Sequence, residues 1–424
     1  MKKVLLITYY WPPAGGAGVQ RWLNFTKYLQ NFGVQPIVFT VLNPSYALED
    51  ISFVPQKDIK VIKQPIWEPY ALASKVSGKD HKTTSAGFLE ATPSKKGQMV
   101  NYIRANFFIP DARKFWVRPS VKFLEKYLKE AKIDTVITTG PPHSLHLIGL
   151  KLKQILNIKW LADFRDPWTQ IDYFHKLPFN KRALKKHYQL EKEVATKADD
   201  VLVIGTHMQQ YFSQFNSQVK VITNGFDVSE NVLKVPLDNT FTITHVGSLN
   251  ADRNPDYFWK ALRELIHENK DFKAHLKVAL IGKITQQVLK SIASYGLQDF
   301  VEHTAYIPHK EVEKYQKSAQ LLLLPVNNVP SAKGILTGKI FEYLQANRPI
   351  LALGPTDGDL ATLLKKTEAG KIVAFEDIGK LKKVLLSYFV AYKKGDLNVN
   401  VKHLSDYHAK NITQQLAGII KENS

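Results

Sequence analysis

Short apolar runs that alternate with helical segments constrain the fold of this chain more than any other feature of its sequence. The first run is residues 4–8, and it is followed by a glycine-rich turn, an amphipathic segment over 20–32 and a second apolar run over 35–40. A run that is apolar on both faces is typical of a strand buried in a parallel sheet. This order predicts a doubly wound α/β sheet, in which ligands bind at the carboxyl ends of the strands.

The alternation continues in two series that are separated by a polar tract. In the first series, further strands are predicted over residues 134–138, 159–162, 200–205 and 219–224. The tract 226–240 contains Pro236 and is typical of an interdomain linker. In the second series, strands are predicted over 241–246, 276–282, 300–303, 321–325, 349–353 and 371–375, and helices over 378–393 and 406–421. The sequence therefore predicts two α/β domains.

The composition supports a folded protein without disulfides. The chain has 424 residues, of which 44% are apolar and 23% are charged, and these values are typical of globular proteins with room for two domains. The absence of cysteine excludes disulfides and thiolate metal sites and favours a reducing compartment. The first apolar run is too short for a signal peptide, and no window reaches the 18 or so apolar residues of a spanning helix. We therefore expect a soluble or peripheral cytoplasmic protein.

The formal charge of +20 indicates which partners the protein could bind, and it gives no information about the fold. Such a charge suits nucleic acid, anionic lipid or a phosphorylated substrate, but no zinc-finger spacing or aromatic RNA-binding signature accompanies it. Residues 95–132 hold ten basic side chains against three acidic ones, interleaved with aromatics such as Phe107, Phe108 and Trp116. This pattern predicts contact with an anionic membrane surface. The alternative is a helix pair that packs its aromatics inward and leaves its lysines in water. Residues 77–98, which are rich in small polar side chains and lysine, predict a mobile surface loop.

The stretch 334–353 carries the clearest indication of a ligand. Its glycines let backbone amides approach a ligand closely, and a helix begins at the second glycine. The N-terminus of a helix favours anions, because its N–H groups are unpaired and its dipole is positive there. Glu342 lies one turn inside this helix, where its carboxylate could accept from hydroxyls. The combination predicts a nucleotide site, and the alternative is a surface helix with a solvated pair of Lys339 and Glu342.

Further candidates follow the strands of the first series. The glycines at 15, 16 and 18 do not form the dinucleotide pattern, and no acid ends the second strand, so simple nicotinamide binding is disfavoured. The sequence G-P-P-H-S at 140–144 places His143 where a helix begins, and D-F-R-D-P-W at 163–168 places Arg165 and Asp166 at the end of a strand. Ionisable side chains at a strand's carboxyl end suggest a functional site, and a buried arginine–aspartate clamp is the alternative.

Four of these motifs, taken in order, resemble the retaining GT-B glycosyltransferases, and family 4 in particular. They are the glycine loop at 15–18, N-G-F-D at 224–227, G-S-L-N-A-D-R-N at 247–254 and G-K-I-F-E-Y-L at 338–344. The resemblance implies two Rossmann-like domains that face each other across a cleft. The acceptor domain would be 1–225 and the nucleotide-sugar donor domain 241–405, and we expect the C-terminal helix at 406–424 to join the acceptor domain.

The resemblance also implies roles for individual residues. Glu342 matches the glutamate that holds the donor ribose, Gly247 and Arg253 match the donor-phosphate loop, and His143 matches the histidine near the transferred sugar. The implied donor-binding residues are Gly15, Gly16, Gly247, Ser248, Thr337, Gly338 and Glu342; the implied catalytic residues are His143, Arg253 and Lys339; and Arg165 and Asp166 are implied in the acceptor region or cleft.

The chain departs from the family pattern at two positions. Gly334 stands where the family usually has an acid, and Ser248 where it usually has an arginine, whose charge Lys339 could supply. The implied function is transfer of a sugar, of the hexosyl type and with retention, from a nucleotide sugar to a glycan or lipid-linked acceptor at the inner face of a membrane.

Surface-polysaccharide or glycolipid synthesis is the implied setting of this transfer. We expect neither a metal nor a cofactor, because Arg253, Lys339 and loop amides could stabilise the leaving phosphate. Two alternatives remain open at this point: a nucleotide-sugar epimerase of the same fold, and a nucleic-acid-binding protein that is suggested by the charge alone.

Overall fold

A computed structural model describes residues 1–46, 48–68, 95–228, 235–305 and 307–422. The chain divides into two compact units, Met1–Asn224 with Ala409–Ser424, and Gly225–His408. The part of the predicted loop at 77–98 that precedes residue 95 lies outside the described residues, as do residues 229–234 of the predicted linker.

The first unit contains one parallel sheet of seven strands. Its strands are β1 (Lys2–Ile7), β2 (Val34–Val41), β3 (Lys60–Gln64), β4 (Thr135–Gly140), β5 (Lys159–Phe164), β6 (Asp200–Val203) and β7 (Val219–Val221). Its helices are α1 (Ala17–Leu29), α2 (Lys95–Phe107), α3 (Lys114–Ala131), α4 (Ser144–Ile155), α5 (Lys181–Lys197), α6 (Thr206–Phe212) and a last helix from the end of the chain, Ala409–Lys421. The strand order is β3-β2-β1-β4-β5-β6-β7.

The central position of β1 follows from its apolar sequence. Leu5 pairs with Ile37 of β2 on one side and with Val136 of β4 on the other, and all three side chains are buried. A strand with neighbours on both sides and helices on both faces has no solvent-facing side, so β1 is apolar and buried from Val4 to Ile7. The chain leaves β1 towards β2 and later returns to β4, and this reversal is the point at which such sheets bind ligands.

The second unit contains a parallel sheet of six strands in the order β10-β9-β8-β11-β12-β13. Its strands are β8 (Phe241–Val246), β9 (Leu276–Ile281), β10 (Val301–Thr304), β11 (Leu321–Pro325), β12 (Ile350–Leu353) and β13 (Gly370–Val373). Its helices are α7 (Asp256–Glu268), α8 (Lys270–His275), α9 (Gln286–Ser294), α10 (His309–Ser318), α11 (Gly338–Ala346), α12 (Asp359–Thr367) and α13 (Ile378–Lys393). The last helix of the chain, in the first unit, is then α14 (Ala409–Lys421).

Helix α14 belongs to the core of the first unit. Ile412, Leu416 and Ile420 are buried in one apolar cluster with Trp22 and Leu29 of α1. The helix begins at Ala409 and not at 406, because residues 404–407 form a separate 3-10 turn that precedes it. Apolar residues at a spacing of three to four thus bury one face of α14, and this burial fixes the end of the chain on the first unit.

The aromatic residues of 95–132 do not share one environment. Trp116 of α3 is completely buried, and its ring stacks on Phe39 with centroids 5.0 Å apart. The prediction that Trp116 contacts a membrane is therefore wrong, because α3 turns this side chain towards the sheet. Phe107, at the end of α2, is 64% exposed.

Candidate functional site

In the second unit, the carboxyl end of β8 meets the start of α11. Gly247, directly after β8, has a φ of 121°, and a Cβ at this position would overlap Cε of Lys339 and lie 2.7 Å from its Nζ. The side chain of Lys339 therefore packs directly on the backbone of Gly247. Glycine is required here for its positive φ and for this close approach.

The loop after Gly247 holds a second cation. The side chain of Asn250 accepts a hydrogen bond from the backbone N–H of Arg253 at 3.0 Å and so caps a short 3-10 turn. The Arg253 guanidinium donates from Nε to Oδ1 of Asn327 at 2.8 Å and from Nη1 to the carbonyl of Ser248 at 3.3 Å. Asn327 is itself buried, so Arg253 is held in place by a fixed partner.

Helix α11 begins at Gly338, with Thr337 as its N-cap residue. The hydroxyl of Thr337 does not cap the helix, and it has no hydrogen-bond partner within the described ranges. The helix is fixed by Tyr343, whose hydroxyl accepts from the backbone N–H of Val246 at 3.0 Å. One helical turn after Lys339, Glu342 accepts a hydrogen bond from Nε2 of Gln316 at 3.0 Å.

The electrostatics of this region favour an anion. The pKa of the Lys339 ammonium is lowered to about 7, chiefly by burial and also by the nearby Arg253, while Glu342 opposes the shift. Two cations that lie close together favour a bound anion such as a phosphate, whose negative charge would offset their mutual repulsion. His245, at the end of β8, is neutral, because burial and the charge of Lys339 lower its pKa to about 3.

In the first unit, the glycine loop lies beside Arg165. Gly16 precedes α1 with a φ of 94°, and Gly15 donates its N–H to the carbonyl of Leu48 at 2.9 Å. A Cβ at Gly18 would overlap the Arg165 guanidinium, which also donates to the carbonyl of Pro141 at 3.1 Å. Arg165 therefore connects the glycine loop to the turn that carries His143.

The ring of His143 is buried and neutral. It stacks on Trp168 with centroids 5.0 Å apart and planes 5° apart, and burial next to His146 holds its pKa well below the usual range. Its Nδ1 has no hydrogen-bond partner among the described residues. A neutral imidazole can donate or accept a hydrogen bond, but it does not contribute a positive charge to the site.

Sequence reasoning missed the residue that caps the helix after His143. Asp111 accepts hydrogen bonds from the backbone N–H and the hydroxyl of Ser144, at 2.9 and 2.8 Å. The N-terminus of α4 is thus occupied by a carboxylate of the protein itself. The available signal was the presence of an acid within a strongly basic segment.

An arginine–aspartate clamp is present, but its members are not the predicted ones. Asp163 accepts from Arg21 at 2.8 and 3.2 Å, from Trp22 at 2.9 Å and from Thr139 at 2.9 Å. The side chains of Arg21 and Asp163 are 1% and 0% exposed. The Arg21–Asp163 pair has a structural role, and Arg165 is not a member of this buried pair.

Asp166 follows Arg165 and differs from Asp163 in its surroundings. Its side chain is 46% exposed, and Oδ2 lies 3.8 Å from Nε of Arg165. Partial burial raises the pKa of this carboxyl, while Arg165 opposes the rise. Asp166 is therefore an accessible acid beside a cation at the carboxyl end of β5.

The structure gathers the candidates into two groups, one in each unit. The second unit brings together Gly247, Ser248, Arg253, Thr337, Gly338, Lys339 and Glu342. The first unit brings Gly15, Gly16, His143, Arg165 and Asp166 to the carboxyl edge of its sheet.

Comparison with known proteins agrees with this architecture. Residues 240–389 match the model of the family described as glycosyl transferases group 1. Sucrose-phosphate synthase from Thermosynechococcus elongatus superposes with a TM-score of 0.64 at 15% identity, over 99% of this chain and 98% of that one. The chain has the GT-B fold.

Two further structures with this fold are similar over nearly their whole length. Anabaena HepE in complex with UDP and glucose has a TM-score of 0.64 at 12% identity, with both chains covered completely. WaaG, a glycosyltransferase involved in lipopolysaccharide biosynthesis, has a TM-score of 0.59 at 14% identity, over 99% of this chain and 100% of that one. No curated protein sequence matches the chain. The predicted resemblance to GT-B glycosyltransferases and the predicted α/β fold class are both confirmed.

Two properties of the described residues bear on partners. Across the described ranges, no helix combines the length and the apolar character that are needed to span a bilayer. The same residues include no group of three or more histidine, aspartate or glutamate side chains that could hold a metal ion. The expectation of a metal-independent reaction stays a prediction.

Proposed function

We propose that this GT-B protein transfers a sugar from a nucleotide-sugar donor to a glycan or lipid-linked acceptor. The observation that carries the proposal is the packing of Lys339 on Gly247, next to Arg253 and one helical turn from Glu342. Two cations and an acid at the start of a helix match the diphosphate and the ribose of a nucleotide. The match of residues 240–389 to the glycosyl transferases group 1 model covers this whole group.

The chemistry assigns a task to each side chain. When the bond to the sugar breaks, negative charge develops on the phosphate oxygens of the nucleoside diphosphate. Arg253, Lys339 and the first amides of α11 would stabilise that charge where it develops. We propose that the reaction proceeds without a metal, because these cations supply the required charge, and with retention of configuration.

The donor and acceptor roles are divided between the units. The second unit would hold the donor through Gly247, Ser248, Thr337, Gly338 and Glu342, while the first would hold the acceptor near Arg165 and Asp166, with Gly15 and Gly16 beneath the pyrophosphate. Neutral His143 would donate or accept a hydrogen bond at the transferred sugar.

Similar structures support this choice of ligands. HepE is described in complex with UDP and glucose, and WaaG as an enzyme of lipopolysaccharide biosynthesis. We propose a hexosyl donor and a role in surface-polysaccharide or glycolipid synthesis at the cytoplasmic face of a membrane. The comparisons do not favour the nucleotide-sugar epimerase.

The purified protein tests this proposal directly. It would be screened by thermal shift against the common nucleoside diphosphates, and then incubated with the matching nucleotide sugars. Release of nucleoside diphosphate with transfer or hydrolysis of the sugar is the expected result. Formation of an isomeric nucleotide sugar, or binding of a DNA probe without any nucleotide binding, would contradict it.

The Glu342→Ala variant should bind the cognate nucleoside diphosphate about 10- to 100-fold more weakly. Each charge-assisted bond to a ribose hydroxyl contributes about 1.5–3 kcal/mol, part of which water recovers. Calorimetry with the ribonucleotide and with its 2′-deoxy analogue measures the effect. The wild-type protein should prefer the ribonucleotide, and the variant should lose that preference with an unchanged melting temperature. Equal preference in both proteins would contradict the ribose role.

Binding of the nucleoside diphosphate should become weaker as the pH rises above 7. The pKa of Lys339 is lowered to about 7, so the free protein has lost this proton at pH 8.5. A bound diphosphate stabilises the ammonium, so binding takes up nearly one proton, and affinity falls by up to about tenfold per pH unit. The ligand is already fully ionised in this range, since phosphate groups have a second pKa of about 6. Calorimetry at pH 8.5 in buffers of different ionisation enthalpy measures the uptake, and Lys339→Met should abolish it. Proton uptake that persists in this variant would exclude Lys339 as its source.

A further inference from the structure

Helix α2 (Lys95–Phe107) presents an apolar stripe away from the protein. Met99, Ile103 and Phe107 follow one another at intervals of four residues, and they are 66%, 37% and 64% exposed. Val100 lies beside them and is 56% exposed, while Ala105, on the opposite side of the helix, is buried. A surface helix usually turns its apolar face inward, so an outward stripe of this kind marks a contact surface.

Helix α5 (Lys181–Lys197) lies next to α2 and supplies cations. Asn106 of α2 donates to the carbonyl of Pro178 at 2.8 Å and accepts from the N–H of Asn180 at 2.7 Å, which fixes the start of α5 beside the end of α2. A shallow groove of about 480 Å³ runs along α5, and it is lined by Lys181, Leu184, Lys185, Tyr188, Gln189 and Lys192.

The lysines of this groove differ from Lys126 and Lys129 of α3 (Lys114–Ala131). Within the described part of the chain, Lys181, Lys185 and Lys192 form no ion pair. On α3, by contrast, Lys129 pairs with a glutamate of its own helix at 2.9 Å, and Lys126 pairs with another at 3.7 Å. Among the residues that the structure describes, the charge of the α5 groove is therefore uncompensated, whereas the charges of Lys126 and Lys129 on α3 are already paired.

We propose that α2 and α5 together form a docking surface for an anionic lipid bilayer. The stripe from Met99 to Phe107 spans about 12 Å of helix, at 1.5 Å per residue, and it would enter the boundary between headgroups and acyl chains. The lysines of α5 would lie at the level of the lipid phosphates. A bilayer matches both features, whereas nucleic acid would use the lysines and leave the apolar stripe in water.

This surface gives the proposed enzyme a position on the membrane, where a lipid-linked acceptor would be found. Docking does not depend on the proposed function, because lipid binding needs neither nucleotide nor acceptor. The proposal restricts the membrane contact that was predicted for the basic segment 95–132 to α2. It adds α5, which lies outside that segment.

The test is co-sedimentation of the full chain with phosphatidylcholine vesicles, with and without 30% phosphatidylglycerol, at 0.1 M and 1 M NaCl. Binding to the anionic vesicles alone is expected, and it should be lost at 1 M NaCl because the screening length falls from about 10 Å to about 3 Å. Equal binding to both vesicles, or binding to neither, would overturn the proposal.

Three variants separate the contribution of the α5 lysines to vesicle binding from that of the apolar stripe on α2. Each lysine near an anionic surface strengthens binding about fivefold, so Lys181→Gln/Lys185→Gln/Lys192→Gln should reduce the partition coefficient roughly 100-fold. Ile103→Ser/Phe107→Ser should reduce it at least tenfold. The control Lys122→Gln/Lys126→Gln/Lys129→Gln removes the same charge from α3 and should have little effect.

The remaining outcomes also decide the question. If Ile103→Ser/Phe107→Ser binds anionic vesicles as well as the wild type does, the surface attracts polyanions by charge alone and the proposal is wrong. If that variant instead turns a dimer into a monomer without affecting vesicle binding, the stripe is a subunit interface. A loss of vesicle binding that leaves donor hydrolysis intact supports docking and leaves the glycosyltransferase proposal standing.

Discussion

The Asp163→Ala variant should lose about 3–5 kcal/mol in the free energy of unfolding, because removal of one member of a buried ion pair leaves the other charge uncompensated. Arg21 and Asp163 are 1% and 0% exposed, so water cannot solvate the remaining guanidinium in the folded state. The variant also loses the acceptor for Trp22 and Thr139. Urea unfolding that is followed by far-ultraviolet circular dichroism measures the change.

A surface ion pair provides the matched control. Lys366 and Asp406 lie 2.8 Å apart, but their side chains are 47% and 43% exposed. Asp406→Ala should therefore change stability by about 1 kcal/mol or less. The double variant Arg21→Met/Asp163→Leu should recover part of the loss, since no buried charge remains. Similar losses for Asp163→Ala and Asp406→Ala would contradict the assignment of Asp163 to a buried clamp.

The Arg21–Asp163 pair also anchors the segment at which the chain passes out of the first unit. Arg21 donates to the carbonyl of Ile222 at 2.9 Å and to that of Thr223 at 3.0 Å. The first compact unit is interrupted after Asn224, only one residue later. Loss of Asp163 should therefore destabilise residues 222–224 as well as the sheet. Faster hydrogen exchange at these residues would show the effect.

The Lys339→Met variant should lower kcat/KM about 100- to 1,000-fold, comparable to the loss of one donor that stabilises a developing oxyanion, about 2.7–4 kcal/mol. Arg253→Ala should have an effect of similar size. Both losses arise because negative charge on the leaving phosphate increases between the ground state and the transition state, so turnover should fall more than the melting temperature. Steady-state kinetics with the cognate nucleotide sugar and thermal melting provide the two measurements.

The direction of the stability change in Lys339→Met follows from the lowered pKa. The folded protein binds the proton of Lys339 less tightly than the unfolded chain does, so the protonated lysine lowers the free energy of unfolding. This penalty is at its full size at pH values below the pKa of the folded protein, which is about 7. The penalty disappears as the pH rises towards the unfolded value near 10.4. The variant should therefore melt at a higher temperature than the wild type at pH 6, and the difference should shrink by pH 10.

Lys333 provides the control for these kinetics. It lies shortly before α11, is 53% exposed and pairs with Asp357 at 2.6 Å. Lys333→Met removes the same charge from the same region and should leave kcat/KM within about twofold. A Lys339→Met enzyme with near-normal turnover, or a Lys333→Met enzyme that is equally impaired, would exclude the proposed role of Lys339.

Local sequence determined every strand except β3, whose sequence K-V-I-K-Q has no continuous apolar run and was not predicted as a strand. Each apolar run predicted a strand because a strand buried on both faces has no position for a polar side chain. Gly16 was predicted in the turn after the first strand, and Gly247 was singled out by the family resemblance; both have a positive φ in the structure, which excludes most other residues. The order of four motifs was sufficient to predict the GT-B fold.

Only the tertiary structure decided which polar side chains meet. Asp163 could have paired with Arg165, two residues away, but its partner Arg21 is 142 residues distant in sequence. Trp116 is turned inward, Asp111 caps the helix after His143, and Lys339 lies against Gly247. Periodicity specifies which face of an element is buried, whereas the partner of a buried charge depends on which strand ends and helix termini the sheet order brings together. That order arises from long-range pairing, and no single segment of the sequence contains it.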